Sequence, residues 1–225
     1  MPTERFVLTN RRGQRLVGLI DYPDGDAPVE KLFVGCHGYG GEKEGRYLLA
    51  IATTLTAAGM GMVRFDFTNG AGESDGTLGD ASVAVYADDL DDVLNYLATQ
   101  PRLVHSRMCI GGHSYAGRAA LVVASRRPDI AAVFFLSAVY PSDEFDMPAI
   151  VGAVRAPIFI VHGAADREVA VSHAEALQRV AGAKVAGVTI IPGADHNYTV
   201  PGSAIKVATT IQEAMATLSP VGQRA

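Results

Sequence analysis

The amino-acid sequence predicts a single α/β domain in which a mostly parallel central sheet carries helices on both faces and an antiparallel strand pair at its N-terminal edge. Three observations carry that expectation. Short β-branched, apolar runs alternate with stretches of helical periodicity. The intervals between successive runs are long enough for the crossover helix that parallel strands require. The first two runs, in contrast, flank a tight polar turn, which marks a hairpin.

Taken in order, Arg5 to Thr9 and Arg15 to Tyr22 lie either side of Asn10-Arg11-Arg12-Gly13 and form that hairpin. Lys31 to Cys36, Met62 to Phe67, Met108 to Gly111, Ala132 to Leu136, Pro157 to Val161 and Val188 to Ile191 read as buried strands. A strand covered on both faces is apolar along its length instead of alternating. Helices fill the intervals. Over 82–98, Val83, Tyr86, Leu90, Val93, Leu94 and Leu97 recur at helical spacing, with Asp88, Asp91, Asp92 and Asn95 on the other side. Further helices are predicted at 46–58, 115–125, 172–180 and 203–218. The run Asp88-Asp89-Leu90-Asp91-Asp92, on a helix with an opposite apolar face, reads as a solvated surface and not as the paired carboxylates of glycoside cleavage.

With 225 residues, 48% of them hydrophobic, the chain can bury one large core. No linker, charge block or internal repeat divides it, so residues 1–225 are expected to form one domain. The formal net charge is −5 and the basic residues are scattered, which argues against nucleic acid or an anionic membrane surface as a partner. The N-terminal segment is broken by charges, and no run approaches a membrane span or a secretory signal, so a cytoplasmic protein is expected. Cys36 and Cys109 sit in apolar runs and are expected as buried free thiols. None of the six histidines falls in a metal-ligand spacing, and no metal or other cofactor is expected. Glycine-rich stretches do not form a phosphate loop. From Gly40 the frame runs into Arg46-Tyr47, and from Gly38 it ends at Lys43. Oligomeric state is not indicated.

The chemistry concentrates after the strands, where parallel sheets gather their ligand-handling residues. GGHSYAG, Gly111 to Gly117, follows one strand and opens the next helix, the context of a tight elbow that lifts a hydroxyl above the sheet. Gly112, Ala116 and Gly117 are small, as the close approach of strand and helix requires, although Ala116 stands where the usual pattern has glycine. A serine hydroxyl needs a base, and the base an orienting acid. After Ile158 to Val161 comes HGAADREV with Asp166; after Val188 to Ile191 comes PGADHNY with His196. Asp195 and Asp143 are alternative acids, and Asp195, adjoining His196, would need a strained backbone to reach the ring. His37 and His162, each before a glycine at a strand end, read as structural. His113 packs beside the serine, and His105 and His173 read as surface residues.

On these motifs the chain resembles α/β-hydrolases along nearly its whole length, from the HGYGG loop to the GADH loop, in the chain order Ser114, Asp166, His196. RFDFTNGAGESDG and HGYGGEKEG are similar to loops of feruloyl and cinnamoyl esterases and related small carboxylesterases. The resemblance implies Ser114 as nucleophile, His196 as general base and acid, Asp166 as its orienting partner, and an oxyanion hole from the backbone N–H groups of Tyr39 and Tyr115. Feruloyl-type esterases carry a sizeable insertion after the sixth strand, whereas here residues 139–156 leave only a short cap-like loop. That size also resembles dienelactone hydrolases, which use cysteine where this chain has Ser114. The expected pocket is therefore open, walled by Tyr39, Tyr115, Tyr198, Tyr140, Phe145 and Met147, which would either stack on an aromatic acyl group or only fill the wall. The implied activity is a carboxylesterase acting on a small-molecule ester through an acyl-enzyme. Thioesterase, amidase, peptidase or perhydrolase chemistry would use the same groups, and a non-catalytic ligand-binding protein on this fold is the alternative of another class.

Overall fold

The computed structural model describes residues 1–218. Its strands are β1 (Thr3–Thr9), β2 (Arg15–Asp21), β3 (Lys31–Cys36), β4 (Gly61–Asp66), β5 (Arg107–His113), β6 (Ala132–Leu136), β7 (Ile158–Gly163) and β8 (Val185–Ile191). They form one eight-stranded sheet in the order β1-β2-β4-β3-β5-β6-β7-β8. β2 pairs antiparallel with both β1 and β4, and every later pairing is parallel. The helices are α1 (Arg46–Ala57), α2 (Val83–Leu97), α3 (Ala116–Arg126), α4 (Met147–Ala153), α5 (Ser172–Ala181) and α6 (Ser203–Thr217).

Neighbouring residues of the central strands point to opposite faces, and both faces are covered. Val34, Val63, Ile110 and Phe135 join α2 and α3 in one buried cluster, with α4 and α5 beyond. Phe33, Met62, Cys109 and Phe134 join α1 and α6 in the other. This two-sided burial is why the strands read as continuous apolar runs. Cys36 and Cys109 are free and buried, and burial pushes the Cys109 thiol up to about 12, so neither supplies a thiolate at neutral pH. No helix among the described residues is long and apolar enough to cross a membrane.

Three local expectations are corrected. α4, inside 139–156, was not foreseen, because its seven residues are too few to show a helical period. It starts where the Asp146 side chain accepts from the Ala149 amide, with Pro148 in its first turn. β8 is an edge strand and not a buried one. Ala186, Val188 and Ile190 are exposed while Ile191 is buried. His173, expected at the surface, is half-buried with its Nδ1 2.5 Å from the Tyr140 carbonyl oxygen.

The acidic run on α2 is not a uniform solvated surface. Asp89 is fully buried and accepts from the Thr68 amide (2.8 Å), the Thr68 hydroxyl (2.6 Å), Asn10 Nδ2 (2.8 Å) and the Arg12 guanidinium. Burial pushes its carboxyl above the usual carboxylate range against those donors. Arg11 meanwhile reaches Asp88, Asp91 and Asp92. The hairpin turn is thereby fastened to α2. Asp89→Ala strands three buried donors and the Arg12 guanidinium and is expected to cost about 3 kcal/mol, lowering Tm by roughly 6–12 °C. Asp88→Ala, at a half-exposed position, should cost under about 1 kcal/mol. Thermal unfolding followed by circular dichroism checks both.

Candidate active site

The elbow between β5 and α3 is built by close approach. Ser114 has φ 52°, in the left-handed region that non-glycine residues rarely occupy and that stores roughly 1–3 kcal/mol of strain. Its amide donates to the Leu136 carbonyl at the end of β6 (3.0 Å), and its carbonyl accepts from the Val139 amide (3.1 Å). A Cβ on Gly112 would lie 2.4 Å from the Ala116 carbonyl oxygen, and one on Gly117 2.3 Å from the Ala138 Cβ. Those glycines therefore let strand, helix and the following loop touch, and the serine is held above the sheet edge.

Two other loops reach it. His196, from the loop after β8, is 5% exposed, with Nε2 2.9 Å from Ser114 Oγ and Nδ1 2.8 Å from Asp166 Oδ2. Asp166, after β7, also accepts at Oδ1 from the amides of Glu168 (2.9 Å) and Val169 (2.8 Å). Burial disfavours the Asp166 carboxylate, yet these amides and the His196 N–H outweigh it and hold its pKa below the usual range. An ionised acid at Nδ1 keeps the ring proton there. Nε2 is thereby left to accept from the Ser114 hydroxyl. Asp195 is instead turned onto the Thr199 amide (2.6 Å) and hydroxyl, and Asp143 stands exposed. Of the three acids considered from sequence, Asp166 is the one bonded to His196.

The buried histidines act as neutral struts. His37 donates from Nδ1 to the Gly38 carbonyl (2.8 Å) and accepts the Phe67 amide at Nε2 (3.1 Å). His113 donates from Nε2 to the His196 carbonyl (2.9 Å), its ring 4.7 Å from those of both His196 and Tyr47. His162 donates from Nε2 to the Val169 carbonyl (2.9 Å). Burial lowers the pKa of all three, that of His113 to about 4, so they bind these loops without adding charge at neutral pH.

The loop after β3 is fastened by charge. Asp66 accepts from the Lys43 amide and ammonium, both at 2.7 Å, and from the Glu73 amide (2.9 Å). Burial works against the Lys43 ammonium, but Asp66 and Glu73 outweigh it and hold its pKa above the usual value. The RFDF and HGYGGEKEG stretches thus meet in one buried ion pair. Among the described residues, the amides of Tyr39 and Tyr115 carry no hydrogen-bond acceptor.

A cleft of about 720 Å³ opens over Ser114 and His196, walled by Tyr39, Glu42, Arg46, Glu168, Asn197 and Thr199. The aromatic wall expected from sequence is largely displaced. Tyr39 is on it, 53% exposed, with its ring 5.8 Å from that of Tyr115, whose hydroxyl donates to Glu144 (3.2 Å). Tyr115, Tyr198, Tyr140, Phe145 and Met147 are not on the wall of this cleft. Tyr198 is buried and donates to Ser137 Oγ (2.9 Å), bracing the ends of β6 and β7. Tyr140 and Met147 are buried in the core on the α2–α3 side, and Phe145 packs against it. Glu168 and Asn197, which sequence reasoning passed over, lie on the same loops as Asp166 and His196, and that neighbourhood was their only signal. Among the described residues no group of three or more His, Cys, Asp or Glu side chains is arranged to hold a metal ion.

A family model described as an alpha/beta hydrolase domain matches residues 29–221. The chain belongs to the alpha/beta hydrolase domain family. Within this family assignment the hairpin β1–β2 precedes the matched span, and residues 139–156 carry only α4, giving the α/β-hydrolase fold without a lid. Comparison with curated proteins gave no match. Among solved structures, Est1E from Butyrivibrio proteoclasticus with ferulic acid bound aligns at TM-score 0.84 and 20% identity, over 95% of this chain and 98% of that one. XC6422 from Xanthomonas campestris, described as an α/β serine hydrolase without lid, aligns at 0.79 and 19% identity over 99% of each. Dienelactone hydrolase from Anabaena variabilis ATCC 29413 aligns at 0.77 and 22% identity, over 97% of this chain and 100% of that one. At such identities the likeness is one of fold.

Because Asp166 is held below its ordinary value, as are Asp91 and Asp129, their contribution to stability is fully present above about pH 4. It is lost as pH falls through the lowered native values. Urea unfolding midpoints should therefore drop as the pH is lowered below about 4, and Asp166→Asn should make that drop shallower.

Proposed function

We propose that the protein is a serine hydrolase that cleaves small to medium carboxylic esters through an acyl-enzyme on Ser114. The observation that carries this reading is the continuous line Ser114 Oγ, His196, Asp166, at 2.9 and 2.8 Å, opening into the cleft. As Oγ attacks the ester carbonyl carbon, its proton passes to His196 Nε2 and the carbonyl electrons move onto oxygen. That oxygen faces the unengaged amides of Tyr39 and Tyr115, which stabilise the charge it gains. Asp166 stays ionised and balances the imidazolium. Collapse re-forms the carbonyl, breaks the bond to the alcohol oxygen, and returns the Nε2 proton to that leaving oxygen. Water then attacks the acyl-enzyme by the same route and releases the acid.

The fold neighbours support a hydrolase, and Est1E with ferulic acid bound is compatible with an aromatic acid as the acyl part, for which Tyr39 offers the exposed ring. The charged side chains of Glu42, Arg46 and Glu168 on the wall favour compact, polar esters over long acyl chains.

Ser114→Ala is expected to lower kcat on p-nitrophenyl acetate by about 10⁴-fold or more, and near-normal turnover would overturn the assignment. The unaltered protein should be labelled by a fluorophosphonate probe, whereas a binding module without an activated serine stays unlabelled. A panel of p-nitrophenyl esters, acyl thioesters and aminoacyl amides should rank esters first by kcat/KM.

A further inference from the structure

The hydrogen-bonded line fixes which half of an ester lies where. The leaving oxygen must take its proton from His196 Nε2, so the alcohol portion occupies the His196 side of the cleft. The carbonyl oxygen lies toward Tyr39 and Tyr115. The His196 side is charged: a carboxylate oxygen of Glu168 stands 3.8 Å from Nε2, and the other lies 3.5 Å from Asn197 Nδ2. The Glu168 side chain is 65% exposed and faces the cleft, while its backbone amide is held by Asp166, so its position is set by the group that orients His196. The other charged side chains on the wall, Glu42 and Arg46, both follow Tyr39 in the chain and are of opposite sign. Arg167, beside Glu168 in sequence, is not on the wall. The Asp195 carboxylate is taken up by Thr199.

We propose that Glu168 sets the charge preference of the leaving group, so that esters of cationic, ammonium-bearing alcohols are cleaved in preference to neutral isosteres, and anionic alcohols are disfavoured. This rests on the serine-hydrolase reading. A cation two carbons from the ester oxygen comes within about 4–6 Å of a carboxylate placed beside the proton donor. At the high effective dielectric of an open cleft, that attraction corresponds to roughly a 3- to 10-fold change in kcat/KM.

The test compares kcat/KM at low ionic strength for the acetate esters of choline, of 3,3-dimethylbutanol, which has the same shape without the charge, and of glycolate, which is anionic. In the unaltered protein the ratio of choline to dimethylbutyl ester should exceed that of Glu168→Gln by about 3- to 10-fold, and the excess should shrink toward unity in 0.5 M salt. The glycolate ester should gain in Glu168→Gln. Glu213→Gln, which removes an exposed charge on α6, controls for net charge and should leave the ratio unchanged. Hydrolysis of all three esters with the same ratio in Glu168→Gln, or an equal shift in Glu213→Gln, overturns the proposal alone. Failure to hydrolyse even the neutral ester overturns the serine-hydrolase reading and this proposal with it.

Discussion

One backbone conformation underlies the site. Ser114 sits in the left-handed region because the chain must pass from β5 into α3 within two residues, and no relaxed conformation reverses direction so tightly. The cost is met by neighbours that leave no alternative. The Leu136 carbonyl and Val139 amide grip the serine backbone from the next strand, and Gly112 and Gly117 remove the side chains that would push the elements apart. Because the elbow is bonded to the end of β6, a disturbance there also moves the segment leading into 139–156.

The remaining groups arrive by the geometry of a parallel sheet, whose strands all end along one edge. Asp166 follows β7 and His196 follows β8, and each loop is pinned by atoms that are not themselves part of the proton line. His113 holds the carbonyl of His196, His162 holds that of Val169, and Tyr198 ties the ends of β6 and β7 together. Uncharged histidines suit this task, since a charged ring in the same position would compete for the Asp166 carboxylate. In the loop after β3 the fastening is by charge, with Asp66 and Lys43 satisfying each other away from water.

What the sequence made legible follows from how local each signal is. The runs Lys31–Cys36 and Ala132–Leu136 are strands over those very residues, since burial on both faces marks every position. The order of Ser114, Asp166 and His196 is a property of the chain itself, and the structure brings the three together. Side-chain direction is not local. Asp89 differs from Asp88 by one step around α2, enough to turn it inward under the hairpin. It stands three residues after Tyr86 and four before Val93, on the apolar face, but its acidic type hides that position within the run. Tyr198 and Met147 carry the residue types of a pocket wall but find their partners in the core. β8 is apolar yet half-exposed, because edge position depends on the order of strands in space.

The short segment between β6 and β7 has a kinetic meaning. With only α4 there, no element among the described residues has to swing aside before a molecule reaches Ser114. Entry and departure are then governed by diffusion across a standing aperture, and a dissolved molecule gains nothing from first gathering into droplets or micelles. Selectivity must come from groups already in place on the rim, not from a closing motion that inspects what has entered.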